Sequence, residues 1–180
     1  MFTASAGHFV WGVAFSLLLL TGCVTDLRTR KIPNELVLAI LVAGWVFALT
    51  SADPLRAIAQ SLTGTAVGFA IWIGFYVVGA IGAGDVKFFA AAGGWLGPAL
   101  TWRAALVAAV FGGAMALLML LKQKRLRAVT QRLGLAVSAR AMNLVSDGTD
   151  SSKQHPQLPY GVALAVGTLV AAWFPGFVQR

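Results

Sequence analysis

The sequence predicts an all-α, polytopic membrane protein, and three observations carry that prediction. Hydrophobic residues make up 58% of the 180 residues and charged residues only 11%, against about 25% charged in soluble domains. Six apolar segments, at roughly 8–25, 35–51, 57–81, 86–101, 102–121 and 158–176, approach the ~20 residues needed to cross a hydrocarbon core. The bases are not scattered: eleven of the 14 Lys and Arg fall in alternate connectors between those segments. The length fits one domain, 1–180.

The first segment ends in Leu20-Thr21-Gly22-Cys23, which has the look of a lipoprotein cleavage site. No Lys or Arg precedes it, whereas Arg28, Arg30 and Lys31 follow. A signal peptide carries its positive charge in front, so an uncleaved transmembrane helix is expected. The second segment opens on Asn34-Glu35, where an N-cap and the helix dipole account for both residues. Asp53-Pro54 marks a turn before the third. The fourth is short and holds Gly93-Gly94 and Gly97-Pro98, leaving open a half-helix or a continuous hairpin with the fifth. Gly64, Gly68, Gly74, Gly112 and Gly113 suit close helix packing in lipid.

Between the fifth and sixth segments lies a long basic connector, 122–157. Leu126, Val129, Leu133, Val137 and Leu144 recur near helical spacing among bases, the pattern of an amphipathic helix on a membrane surface. Asp147 to Gln157 is polar and turn-rich.

Connectors one, three and five hold Arg28, Arg30, Lys31, Lys87, Lys122, Lys124, Arg125, Arg127, Arg132, Arg140 and Lys153; the other side holds Arg56, Arg103 and Arg180. The positive-inside rule therefore puts the odd connectors in the cytoplasm and both termini outside. It also explains the net charge of +8 without a nucleic-acid partner. The partner expected of such loops is the anionic head-group layer.

Six acidic residues exist, and four have ordinary explanations: Glu35, Asp53, and Asp147 and Asp150 in the polar link. Asp26 and Asp85 remain, with no turn role evident. The plain reading pairs Asp26 with Arg28 or Arg30, and Asp85 with Lys87, as weak surface ion pairs. The derived topology, however, puts both carboxylates on one side of the membrane at one depth, where an ionisable residue is costly and function is the default hypothesis. Two adjacent carboxylates cannot both ionise, so they share a proton. One is then a base towards water and the other an acid towards a carbonyl.

The single cysteine, Cys23, excludes an internal disulfide and a multi-cysteine metal site. No His-Glu-x-x-His run is present to hold zinc. His8 and His155 fall near the outer terminus and in the polar link, so a serine–histidine pair within the bilayer is not expected. Neither a metal nor a cofactor is called for.

Asp26-Leu27-Arg28-Thr29-Arg30-Lys31-Ile32-Pro33-Asn34 resembles the first signature of bacterial type IV prepilin peptidases. Gly82-Ala83-Gly84-Asp85-Val86-Lys87 resembles their glycine-x-glycine-aspartate motif, and Leu158-Pro159-Tyr160-Gly161 is similar to the stretch opening their last helix. The resemblance implies an aspartic endopeptidase of the inner membrane, acting at its cytoplasmic face on prepilin or pseudopilin precursors. It implies Asp26 and Asp85 as the catalytic pair and Gly82 and Gly84 as shaping the backbone beside Asp85. Pro159, Tyr160 and Gly161 would line the substrate cleft, with Arg28, Asn34 and Lys87 in support. Many members carry a zinc-binding insert with paired cysteines and also methylate the new N-terminus. This chain has no room for that insert and is most similar to the short form found with tight-adherence (Flp-type) pili, so methylation is not expected.

Two other classes compete. A non-enzymatic membrane subunit, carrier or assembly scaffold, would use the aspartates as charge partners; carriers place such residues near mid-bilayer and show paired half-repeats, and neither is evident here. A presenilin-like peptidase shares the glycine-aspartate motif but lacks the Asp-x-Arg…Ile-Pro-Asn signature.

Overall fold

In the computed structural model of the chain the described residues are 6–29, 31–77, 81–122 and 160–174, and their regular elements are all helical. Helix α1 is Ala6–Thr29, α2 is Asn34–Leu49 and α3 is Pro54–Val77. The stretch Ala83–Lys122 comprises two helices, α4 (83–96) and α5 (98–122), either side of Gly97. Helix α6 is Tyr160–Trp173. Arg30, Pro159 and the amphipathic and polar parts of the 122–157 connector beyond Lys122 lie outside the described residues.

Helix α1 shows two stripes. On α1 Phe15, Leu19, Gly22 and Asp26 are buried, at alternating spacings of four and three, while Val10, Val13, Leu17, Leu20, Val24 and Leu27 are exposed on the opposite face. Large apolar side chains turned outward along whole helices belong against lipid. Gly7–Thr29, Pro54–Val77 and Ala83–Leu118 are long and apolar enough to cross a membrane, and Asn34–Leu49 and Tyr160–Trp173 are apolar but shorter. The protein is a polytopic helical membrane protein.

Helix α4 is the centre. Val86 and every residue from Phe88 to Leu96 are buried, the all-round burial of a helix enclosed by others. Glycines let its neighbours close in: a Cβ at Gly64 of α3 would collide with the Gly93 carbonyl, and one at Gly68 would stand 3.1 Å from Ala90 Cα. Among the described residues nothing lies within 4 Å of a would-be Cβ at Gly74 or Gly113, so neither draws two of these helices together. Trp95 locks α4 to its neighbours, stacking on Phe15 (4.7 Å) and Phe47 (5.5 Å) and donating from Nε1 to the Ile40 carbonyl at 2.8 Å.

The break between the fourth and fifth segments is expected after Thr101; it lies four residues earlier. Gly97 has φ +72° and ψ 169°, a conformation open to glycine and poor for other residues, and Pro98 follows at the first position of α5, where its missing N–H costs nothing. The chain reverses there. Gly112 lies against Tyr160 and Asp85 within electrostatic range of it, whereas 27 residues of straight helix would hold Asp85 and Gly112 about 40 Å apart. Thr101 ties the turn by donating to the Gly97 and Gly93 carbonyls at 2.7 and 3.2 Å.

Two caps also differ from expectation. Asn34 is the first residue of α2 rather than its N-cap; that position belongs to Pro33, whose carbonyl accepts from Val37 N–H. Asp53 is more than a turn residue: its Oδ1 accepts from the Arg56 N–H at 3.2 Å, capping α3 ahead of Pro54.

Candidate active site

Asp26 stands in the last turn of α1 with its side chain 6% exposed. Its Oδ2 accepts the Gly161 N–H at 3.0 Å. Gly161 is the second residue of α6, so its N–H is among those no intrahelical carbonyl can take, and the helix dipole adds attraction for an anion. A Cβ at Gly161 would be 2.7 Å from that oxygen and 3.1 Å from Cγ. The residue expected to line a cleft is thus also the cradle of a carboxylate.

Asp85 opens α4 and is half-buried. Its Oδ2 accepts the Gly82 N–H at 3.2 Å, and the Gly82 carbonyl accepts the N–H groups of Asp85 (3.2 Å) and Val86 (3.4 Å). This is one half of a capping box: the carboxylate at the third helical position accepts the N-cap N–H, while glycine has no side chain to return the bond and its backbone carbonyl takes the next N–H groups. The expectation that Asp85 has no local role is therefore corrected: it caps its own helix. The signal was in the sequence, since an acidic residue three positions after a turn residue marks a helix start.

The two carboxylates come from elements 59 positions apart, and they lie close enough for their charges to interact. One contact explains the approach. A Cβ at Gly22 would be 2.5 Å from Cε2 of Phe88, a fully buried ring. Asp26 lies one turn beyond Gly22 on α1, and Asp85 one turn before Phe88 on α4. The helices run antiparallel, so both steps lead to the same end of the bundle. Neither Gly22 nor Phe88 is marked by the motifs, although Gly22 shares the buried stripe of Asp26.

The other sequence candidates divide. Gly84 packs on Ile32 of the first motif, its would-be Cβ 3.6 Å from Ile32 Cβ, so the two signatures touch. Tyr160 lies within electrostatic range of Asp85 and places its ring edge-on to Trp72, with centroids 5.7 Å apart. Cys23, one turn before Asp26, has its thiol 3.9 Å from the Gly161 carbonyl. Arg28, Asn34 and Lys87 are exposed. His8 is exposed, against the edge of Phe47. A cavity of about 210 Å³, lined by Phe47, Ser61, Trp95 and Gly97 among others, lies at the opposite end of α4.

The model of the type IV leader peptidase family matches residues 13–117, more than half of the chain. The chain belongs to that family. The match contains Asp26, Asp85, Gly22 and Phe88, and stops short of α6. The type 4 prepilin-like proteins leader peptide-processing enzyme of Escherichia coli O78:H11 (strain H10407 / ETEC) is 33% identical over 112 residues, 57% of this chain and 41% of that protein. The prepilin leader peptidase/N-methyltransferase of Pectobacterium carotovorum subsp. carotovorum is 33% identical over 114 residues, 59% of this chain and 40% of that protein. The chain thus aligns with about two fifths of the length of each. No solved structure matches significantly.

Proposed function

We propose that this protein is an aspartic endopeptidase that removes the short leader of type IV or Flp-type prepilins at the cytoplasmic face of the inner membrane. The observation that supports the reading is that Asp26 and Asp85 lie at one end of the bundle within electrostatic range of each other, each held at one oxygen by a backbone N–H. With one proton between them, one carboxylate takes a proton from water while the other protonates the scissile carbonyl oxygen. No metal has a part in these steps. The single-domain chain crosses the membrane six times with both termini outside, and the 122–157 connector lies on the cytoplasmic leaflet. Arg28, Lys31 and Lys87, exposed at the aspartate end, face anionic head groups there. Tyr160 and Gly161 border the space the leader enters.

The test is incubation of membranes with a prepilin and wild type, Asp26→Ala or Asp85→Ala. Loss of cleavage in both variants is expected. Equal cleavage by all three removes the enzyme reading in favour of a non-enzymatic subunit. A cut within the apolar helix, rather than at the leader junction, moves the protein to the presenilin-like class.

A further inference from the structure

We propose that Gly112 of α5 and Trp72 of α3 are positioning residues that hold Asp26 in place through Tyr160. The proposal rests on the peptidase reading for its catalytic meaning, while its structural half stands on geometry alone.

The chain of contacts begins at Tyr160, the first residue of α6. A helix end is the part most given to fraying, yet the next residue, Gly161, supplies the N–H to Asp26 at 3.0 Å. Something must fix the end, and the fold puts two walls around the Tyr160 ring. On one side is Gly112: a Cβ there would be 2.5 Å from both Cζ and Oη of Tyr160 and 3.0 Å from Cε1, so the phenol lies directly on the α5 backbone. On another side is Trp72, 1% exposed, whose ring meets Tyr160 at 69°. Trp72 is itself seated by Phe89 of α4, at 5.8 Å and 73°. Edge-to-face pairs of this kind favour one orientation beyond simple burial. The ring therefore cannot slide, and the Gly161 amide stays on the carboxylate.

Gly113 supplies the control. It follows Gly112 on the same helix, but a Cβ there meets nothing within 4 Å among the described residues. Gly112→Ala and Gly113→Ala make the same chemical change and gain the same helix propensity; only the first strikes Tyr160. Ordinary contact begins near 3.4 Å, so the ring must move by about 1 Å, and a misplacement of that size can cost on the order of 10²-fold in rate.

Two measurements decide the matter. In prepilin cleavage, Gly112→Ala is expected to lower kcat about 10- to 100-fold with KM within about twofold, since an interaction serving only the reacting groups is lost; Gly113→Ala matches wild type. In the second, the rate at which a small maleimide alkylates Cys23 reports the seat of α6, because that thiol rests against the Gly161 carbonyl. Gly112→Ala is expected to change this rate at least severalfold, and Gly113→Ala to leave it alone. General unfolding is separated by the Tyr160→Ala background: with the ring gone, adding Gly112→Ala has no further effect on either readout. Identical behaviour of the two glycine variants, or a full additional loss in the Tyr160→Ala background, overturns the proposal. If wild type cleaves no prepilin, the peptidase reading fails while the alkylation comparison still tests the clamp.

Discussion

The buried ring of Phe88 occupies the space that a side chain at Gly22 would need, with Cε2 only 2.5 Å from a would-be Cβ. Through this contact the spacing of the two aspartates depends on a residue that has no side chain. Gly22→Ala pushes the ring and with it α4, so leader cleavage falls by at least about tenfold on the same misplacement argument. Phe88→Leu in that background shortens the obstructing group and restores part of the rate. Cleavage assays on both variants check this; a Gly22→Ala protein as active as wild type shows that the ring moves without carrying Asp85.

Asp85 has two roles that one substitution separates. Asn keeps an oxygen for the Gly82 N–H but cannot share a proton, whereas Ala loses both. Asp85→Asn is expected to be inactive with an unchanged thermal midpoint, and Asp85→Ala inactive and destabilised by about 1 kcal/mol, the usual value of a lost cap. Equal midpoints for the two variants would mean that the bond from the Gly82 N–H to the Asp85 side chain contributes nothing.

Asp26 and Asp85 act as a unit in the proposed chemistry. The double variant Asp26→Asn/Asp85→Asn is therefore hardly slower than either single one. Activity of the wild type is expected to fall on both sides of an optimum, since both carboxyls carry protons in acid and neither does in base. Additive partial losses, or a rate that rises steadily with pH, point to structural roles.

Part of this arrangement is legible in the sequence and part is not, for physical reasons. Apolar runs and the basic connectors report directly on lipid and insertion, so the helical membrane fold follows from composition. Gly97-Pro98 carried the turn signal, yet segment length drew the expected boundary to Thr101, because apolarity does not change across a reversal inside the bundle. Gly22, Gly112 and Trp72 look like ordinary packing residues, since what they do is set by Phe88 for the first and Tyr160 for the other two, each 48 or more positions away. Asp85 departs in the other direction: its membrane depth follows from the topology, while its cap is a local feature of Gly82-Ala83-Gly84-Asp85.

The proposed orientation has its own check. A reporter joined after Ser51, in the second connector, is expected to behave as external, and one after Ser151 as cytoplasmic, following the positive-inside rule. The opposite pattern would place the aspartates on the outer side, away from any basic leader held in the cytoplasm.

The last prediction concerns two hydroxyls that break the pattern of the others. Ser16, Thr21, Thr63 and Thr168 each donate to the carbonyl four residues back, at 2.7–2.8 Å, which is how a hydroxyl is accommodated in a membrane helix. Ser61 and Thr65, one turn apart on α3, have buried oxygens with no hydrogen-bond partner among the described residues, and both rest over Gly94, at 3.2 and 2.9 Å from a would-be Cβ. A buried hydroxyl left unsatisfied costs about 1–3 kcal/mol. Ser61→Ala removes the group beside an existing cavity and is expected to raise stability by on the order of 1 kcal/mol. Thr168→Val, which deletes a satisfied and fully buried hydroxyl while keeping its shape, is expected to change stability less, because the Leu164 carbonyl it releases still accepts the helical N–H of residue 168. Thermal midpoints of the two variants in the same detergent decide the point. If Ser61→Ala lowers the midpoint, the Ser61 hydroxyl has a partner after all, and the cavity beside it is the place from which water would supply one.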